Sequence, residues 1–314
     1  MQITAEIFKS MRKVFGRKPV SKELKFDVSE QAASDHIKNL LLGDRPCMIS
    51  RFGSNELDAT LRAFERGNTK NIINRVYRYV RKDSAAFWWD ASIRKRMSVN
   101  AGFFPTDDQS LNAFGLRMLK DITELDVLGS WRDDEWRLRH RFPNAVRLPL
   151  LELEPYRHDA PWSEALAGKR VLVLHPFVRS IENQYKRRKY LFSDPRVLPD
   201  FELITIKAVV SNAMSEVKFS SWFNALDHMC EQIREKDFDV AIIGAGAYGL
   251  PLAAFVKRLG KKAIHLGGAT QLLFGISGQR WDEGNQHFYN EHWVRPLESE
   301  KPKRADLVES AAYW

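Results

Sequence analysis

The chain has 314 residues, 44% of them hydrophobic and 28% charged, which supplies a sizeable core and excludes a disordered or fibrous chain. Forty-nine Lys and Arg against 40 Asp and Glu leave a formal charge of +9, a balance that favours phosphates, acidic lipids or other anions as partners. The two cysteines, Cys47 and Cys230, are too few for a disulfide framework or a zinc site and suit a reducing compartment.

The chain starts MQITAEIFKSMRKVFGRK, without the continuous apolar segment of a signal peptide, and no run approaches the roughly 18–20 apolar residues of a membrane span. The expectation is a cytoplasmic protein, peripheral at most at the inner face of a membrane. Within residues 1–20, Ile3, Ile7, Phe8, Met11, Val14 and Phe15 recur at helical spacing, with Lys9, Arg12, Lys13, Arg17 and Lys18 between or after them. This is a basic amphipathic helix, which either docks on the protein's own core or lies on an anionic membrane surface.

Residues 21–150 read as a helix-rich α/β half. Ser29 caps a helix that stops at Gly43, Cys47 to Arg51 is a short strand, and Ser54 opens a helix ending near Gly67. Helical patterns cover Asn71 to Val99 and Asp107 to Asp121, and Leu125 to Trp131 is a buried strand. Prolines and mixed charges in Leu148 to Pro161 mark a boundary.

In residues 151–298 strand and helix alternate. Strands Lys169 to His175, Phe201 to Lys207, Phe238 to Gly244 and Lys261 to Leu266 are separated by helices over SIENQYKRRK, Trp222 to Lys236 and Gly249 to Leu259. Continuous apolar strands between amphipathic helices predict a Rossmann-like, doubly wound, mostly parallel sheet covered on both faces. Residues 299–314 read as a polar tail, and 21–298 can equally be one continuous domain. In this architecture ligands bind outside the carboxyl ends of the strands, so the loops after each strand carry the candidate site.

Gly244-Ala245-Gly246-Ala247-Tyr248-Gly249 is a G-x-G-x-x-G between strand and helix. Such glycines bring backbone amides close to a diphosphate, or serve only close helix–strand packing. A dinucleotide site also wants an acid at the end of the next strand, where this chain has His265, Leu266, Gly267 and Gly268. Gly267-Gly268-Ala269-Thr270 is a second glycine turn, with Thr270 placed to cap the following helix. Arg51-Phe52-Gly53-Ser54-Asn55-Glu56 is a third, with Ser54 as N-cap and Glu56 in the first helical turn. There Arg51 can fork onto phosphate, and Glu56 can complement the helix dipole, hold a cation or accept a proton.

MISRFGSNEL resembles the R-[FY]-G-D-G-E stretch of the GT-D-type glycosyltransferases, in which an Asp-x-Glu element meets the sugar nucleotide and its metal at the end of the first strand. Arg51, Gly53 and Glu56 match; Ser54 replaces the aspartate and Asn55 a glycine, which weakens any manganese or magnesium site built on Glu56. The second half resembles bacterial proteins of polysaccharide-synthesis neighbourhoods. The resemblance implies transfer of a sugar from a UDP-, GDP- or dTDP-type donor to a glycan or polyprenyl-linked acceptor, without haem, zinc or flavin.

Further candidates join this reading. His175, Asn183, Gln184 and Arg187, with Lys186 and Arg188, follow a strand and can approach a diphosphate. Asp107 and Asp108 are candidate bases for an acceptor hydroxyl, or a helix cap. Trp131, Trp136 and Trp281 offer flat faces for sugar rings. Alternative functions are a dinucleotide-binding (NAD or FAD) oxidoreductase and a non-catalytic nucleotide-binding subunit; dispersed basic residues and the absence of a recognisable motif argue against nucleic acid.

Overall fold

The computed structural model describes residues 2–16, 24–68, 71–212, 217–302, 304–307 and 312–314; Arg17 and Lys18 of the expected basic helix lie outside them. Seven strands, Cys47–Ser50 (β1), Val127–Ser130 (β2), Val146–Pro149 (β3), Arg170–His175 (β4), Glu202–Lys207 (β5), Val240–Ile243 (β6) and Lys262–His265 (β7), form one sheet in the order β3-β2-β1-β7-β6-β4-β5. Every pairing in it is parallel. The Rossmann-like α/β expectation holds, and β1 of the first half lies directly beside β7 of the second.

The α-helices among the described residues are Gln2–Phe15 (α1), Glu30–Leu42 (α2), Ser54–Asn68 (α3), Ile72–Val80 (α4), Ala91–Val99 (α5), Asp108–Asp121 (α6), Val178–Tyr185 (α7), Trp222–Arg234 (α8), Gly249–Arg258 (α9) and the single turns Thr270–Leu273 (α10) and Asp282–Asn285 (α11). Side chains of a strand alternate between faces, and the core divides accordingly. Leu172 and Leu174 of β4 and Ala241 and Ile243 of β6 pack with α3, α5, α6, α8 and α9. Val171, Val173, Val240 and Ile242 pack with α2, α7 and α10. Since neither face meets water, these strands read as unbroken apolar runs.

That division locates the ligand crevice. β4 and β6 are neighbours, yet the helix after β4 (α7) lies on one face and the helix after β6 (α9) on the other. Chains leaving adjacent strands in opposite directions open a gap at the carboxyl ends, the switch point where ligands of such folds bind. β7 repeats the device, because α10 after it lies on the face opposite α9 and α3.

Two elements differ from the sequence expectation. The helical pattern Asn71 to Val99 is broken into α4 and α5: Lys82 takes a left-handed backbone (φ 65°), Phe87, Trp88 and Trp89 turn into the core, and Asp90 starts a new helix by accepting from Ile93 N–H at 3.0 Å. Strand β3 lies partly inside the stretch read as a boundary; it is a four-residue edge strand ending in Pro149, a length and composition that carry little strand signal.

The N-terminal helix docks on the protein's own core with its inner side. Ala5 is buried, Phe8 tilts against Phe87 and Trp88, and Arg12 donates to the carbonyls of Tyr79 and Ser84. No helix among the described residues is long and apolar enough to cross a membrane.

Helices α3 and α6 meet through Gly115, where a Cβ would stand 2.1 Å from the Cβ of Ala63. In an open helix Gly→Ala gains about 1 kcal/mol; here the clash reverses the sign. Gly115→Ala is expected to lower the melting temperature by several degrees in a thermal scan, and a rise would show that the two helices can separate without loss.

Candidate functional site

One crevice at the carboxyl edge of the sheet gathers the ends of β1, β7, β6 and β4 and the loop after β5. Its walls carry Arg51, Gly53, Ser54, Asn55 and Glu56 from the first strand end, His265, Gly267 and Gly268 after β7, and Gly244, Gly246 and Tyr248 after β6. His175 at the end of β4, Ser211 and Asn212 after β5, and Trp131 after β2 join them. The three glycine turns and His175 therefore converge, although they lie far apart in the chain.

Each turn has its own physical reason. Helix α3 begins at Ser54 itself, with Leu57 N–H bonding to the Gly53 carbonyl at 2.9 Å, so Ser54 is the first helical residue and not the cap. The Glu56 carboxylate folds back over Gly53, where a Cβ would lie 1.9 Å from Oε2; only glycine leaves room for it. At Gly244 a Cβ would meet His175 Cδ2 at 2.5 Å, and at Gly249 one would meet His265 Nε2 at 2.1 Å. These two glycines make room for the histidines. Gly246, by contrast, has φ +51° and open space at its Cβ, so it is glycine for its backbone conformation and not for a close neighbour.

Both histidines are neutral. His175 Nδ1 accepts from Phe177 N–H at 3.0 Å, which leaves the ring proton on Nε2, and burial pushes the group down to about 3. His265 Nδ1 pairs with Ser50 Oγ at 3.0 Å; burial, aided by the nearby Arg51 charge, also pushes it down to about 3. The sequence showed His265 only as a missing acid. Its neighbourhood with the G-x-G-x-x-G strand was the signal to follow.

Arg51 supplies the charge. Its guanidinium lies over the Trp131 ring at 5.5 Å, burial lowers its pKa while Glu56 opposes that, and its Nε is enclosed without a hydrogen-bond partner. Trp131 is held by donating its Nε1–H to the Phe52 carbonyl at 3.0 Å. Behind it Glu135 accepts from the Trp131 and Arg132 amides and the Ser130 hydroxyl, and burial raises its carboxyl to about 7. Asn212 Oδ1, Gln271 Oε1 and Trp314 Nε1 on the same walls also lack partners, as does Thr270 Oγ1 behind Gly244. Thr270 is thus inside its helix with an unpaired hydroxyl and does not cap it.

Several expected site residues stand elsewhere. Asp107 is exposed and caps α6 through Ser110 N–H at 2.9 Å, and Asp108 pairs with Arg94 of α5; the helix-cap alternative holds for Asp107, and neither carboxylate lines the crevice. Asn183 is exposed on α7, Gln184 donates to the carbonyls of Gly275 and His292, and Arg187 donates to His292 O at 3.1 Å. None of the three lines the crevice: Asn183 faces outward, and Gln184 and Arg187 are held by carbonyls elsewhere. Tyr248 reaches the wall, but its ring stacks on Trp222 at 4.9 Å and its hydroxyl bonds Ser211 at 2.8 Å. Trp136 lies outside the crevice beside Arg139, and Trp281 packs behind Gly268.

The C-terminal segment, expected to be a polar tail, is part of the site. Glu300 is buried and accepts from the Arg179 and Ser180 amides at 2.8 and 3.1 Å, so it caps α7 where the positive helix end would otherwise face an anion. Tyr313 packs on Gly268, and Trp314 lies 5.9 Å from the Phe177 ring. Glu56 and Glu300 are the two carboxylates on the walls among the described residues, and no group of three or more His, Cys, Asp or Glu there could hold a metal ion. Comparison with known proteins returned no matching family model, curated protein or solved structure.

The histidines set a pH dependence. Each has a folded pKa of about 3 against an ordinary 6.5, so its contribution to stability is complete above 6.5 and is lost as pH falls toward 3. Glu135, raised from 4.5 to about 7, works oppositely, but two larger shifts outweigh one. The melting temperature is expected to fall between pH 6.5 and 4.5, less steeply in His175→Asn, and an unchanged slope in that variant would remove His175 as a cause.

Proposed function

We propose that the crevice binds a nucleotide sugar and that the chain is a glycosyltransferase acting on a glycan or polyprenyl-linked acceptor at the inner face of a bacterial membrane, in surface-polysaccharide synthesis. One observation carries this reading. Arg51, Trp314, Asn212 and Gln271 line a single crevice at the sheet's switch point, and each encloses one polar atom, the donors Nε and Nε1 and the acceptors Oδ1 and Oε1, without a partner among the described residues. Buried polar groups without partners are costly, and a mixed set is met by sugar hydroxyls, which both donate and accept. Inorganic phosphate would satisfy donors alone. The fit with the resemblance at Arg51, Gly53 and Glu56 supports the same ligand.

In the proposed reaction the acceptor oxygen bonds to the anomeric carbon as its proton passes to the Glu56 carboxylate. The bond from that carbon to the diphosphate breaks, and its electron pair leaves with the diphosphate. Arg51 neutralises the developing charge as a planar fork, amides of the Gly246 and Gly267 turns can add hydrogen bonds, and Trp131 offers an apolar face to the sugar ring. A divalent cation does not fit this donor set: Glu300 is committed to α7, and Glu56 stands beside the Arg51 cation with Ser54 where the family has its second acid. The charge work therefore falls to Arg51.

A dinucleotide oxidoreductase is less well supported, because both strands flanking β6 end in histidine, His175 and His265, where a ribose needs an acid. A non-catalytic nucleotide-binding subunit shares the ligand and differs in chemistry. Thermal shifts with UDP, GDP, CMP, dTDP and ADP sugars test the ligand, since a compound that binds only the native state raises the melting temperature. At least one is expected to shift it, equally with EDTA or manganese, and no shift with any would refute the reading.

Arg51→Gln is expected to weaken that binding at least about tenfold, consistent with loss of a charge-assisted pair. Glu56→Gln should retain binding and lose about a hundredfold or more in turnover. Binding without turnover by the unaltered chain, across the acceptors offered, would favour the non-catalytic subunit.

A further inference from the structure

Seven of the thirteen large apolar side chains exposed among the described residues stand on two helices, α1 and α4: Ile7, Met11, Val14, Phe15, Ile72, Ile73 and Tyr77. They form one surface, because α1 packs on α4 and Met11 shares a shallow groove with Ile72, Ile73, Val76, Tyr77 and Val80. Exposure is 75% at Ile73, 72% at Val14 and 68% at Phe15, too high for a face already covered within the chain. Ile7, Met11, Val14 and Phe15 recur at the i, i+4, i+7, i+8 positions that make a helical stripe.

The inner side of α1 is already engaged through Ala5, Phe8 and Arg12, whose guanidinium also lies 4.4 Å over the Tyr79 ring. This anchoring holds the second apolar stripe outward. Charge accompanies it: residues 71–82 carry Arg75, Arg78, Arg81 and Lys82 with no acid, and α1 carries Lys9, Arg12 and Lys13 against Glu6 alone. Arg81 stands at the rim, 5.3 Å over the Tyr77 ring and 3.9 Å from Asp83. Arg78 pairs with Glu65, and Lys9 with Glu6 and Asp90; Lys13 is exposed.

We propose that the α1–α4 face is a docking surface for an anionic lipid bilayer. A bilayer presents an apolar interior beneath a negative layer, and an amphipathic surface with a basic rim matches both at once. The exposed Tyr77 beside Arg81 has the amphipathic chemistry of the headgroup region. A second copy of the chain would bring two basic rims together, which the charge opposes. None of these residues lines the strand-end crevice, so the proposal stands whether or not that crevice takes a nucleotide sugar.

The test is co-sedimentation of the full chain with vesicles of phosphatidylcholine, alone or with roughly 30% phosphatidylglycerol, at about 0.1 and 0.5 M salt, since salt screens lipid charge. Binding is expected to be at least about tenfold stronger to the anionic vesicles and to weaken in high salt. The combined variant Val14→Ser, Phe15→Ser, Ile73→Ser should lose about tenfold or more in vesicle binding while keeping its melting temperature, because the three side chains are exposed. Lys13→Glu with Arg81→Glu should abolish the anionic preference.

No vesicle binding, equal binding to neutral and anionic vesicles, or undiminished binding by the serine variant would each overturn the proposal. So would a dimer seen by ultracentrifugation that the serine substitutions dissolve, which would assign the face to a second copy. A nucleotide-sugar thermal shift run alongside separates failure of this surface from failure of the crevice.

Discussion

A parallel strand cannot return to its neighbour by a tight turn, so each strand of this sheet reaches the next by a crossover on one face or the other. The choice of face is the constraint on which the site depends. Segments before or after the strands bury both sides of the central strands, leaving water only the edge strands β3 and β5. Where β4 sends its helix to one face and β6 to the other, the backbones diverge and leave a polar gap at the edge of an otherwise apolar slab. The crevice is a consequence of sheet topology before it is a property of any side chain.

The groups in that gap follow from its crowding. Gly244 and Gly249 are narrow enough for His175 and His265 to lie against the backbone, and enclosure then keeps both rings uncharged. Among the described residues, Arg51 is thereby the cation of the crevice that burial shields, while Arg280 stands exposed. A permanent charge beside uncharged histidines and other hydrogen-bonding groups suits a ligand with one anionic end and a hydroxyl-rich remainder. The same logic explains Glu300. The positive end of α7 opens beside the crevice, and a carboxylate from the chain's last segment neutralises it, which leaves Arg51 and the glycine turns as the places where an anion can be met.

Cations stand on two surfaces with different physics. In the crevice the Arg51 guanidinium acts at short range, partly screened from water, where its interaction is strong. On the α1–α4 face several cations surround exposed aliphatic side chains and act together at long range, where salt weakens them. These surfaces share no residue.

The residues alone determined the fold class, because strands buried on both faces become unbroken apolar runs such as RVLVLH and DVAII and need no tertiary information to be seen. They also placed Arg51, Gly53, Glu56, His175 and the two later glycine turns at strand ends, where loop geometry and ligand position coincide. Tertiary structure alone decided which neighbours of those ends face the crevice. Asn183, Gln184 and Arg187 follow β4 closely yet face solvent or bond to carbonyls away from the crevice, and Asp107 and Asp108 are consumed by capping and an ion pair. His265, Ser211, Asn212, Glu300 and Trp314 arrive from segments separated by long stretches of chain. A local pattern records the direction of a backbone and the burial of a face; which distant side chains close a cavity depends on strand order and the handedness of each crossover, which no short stretch of sequence contains.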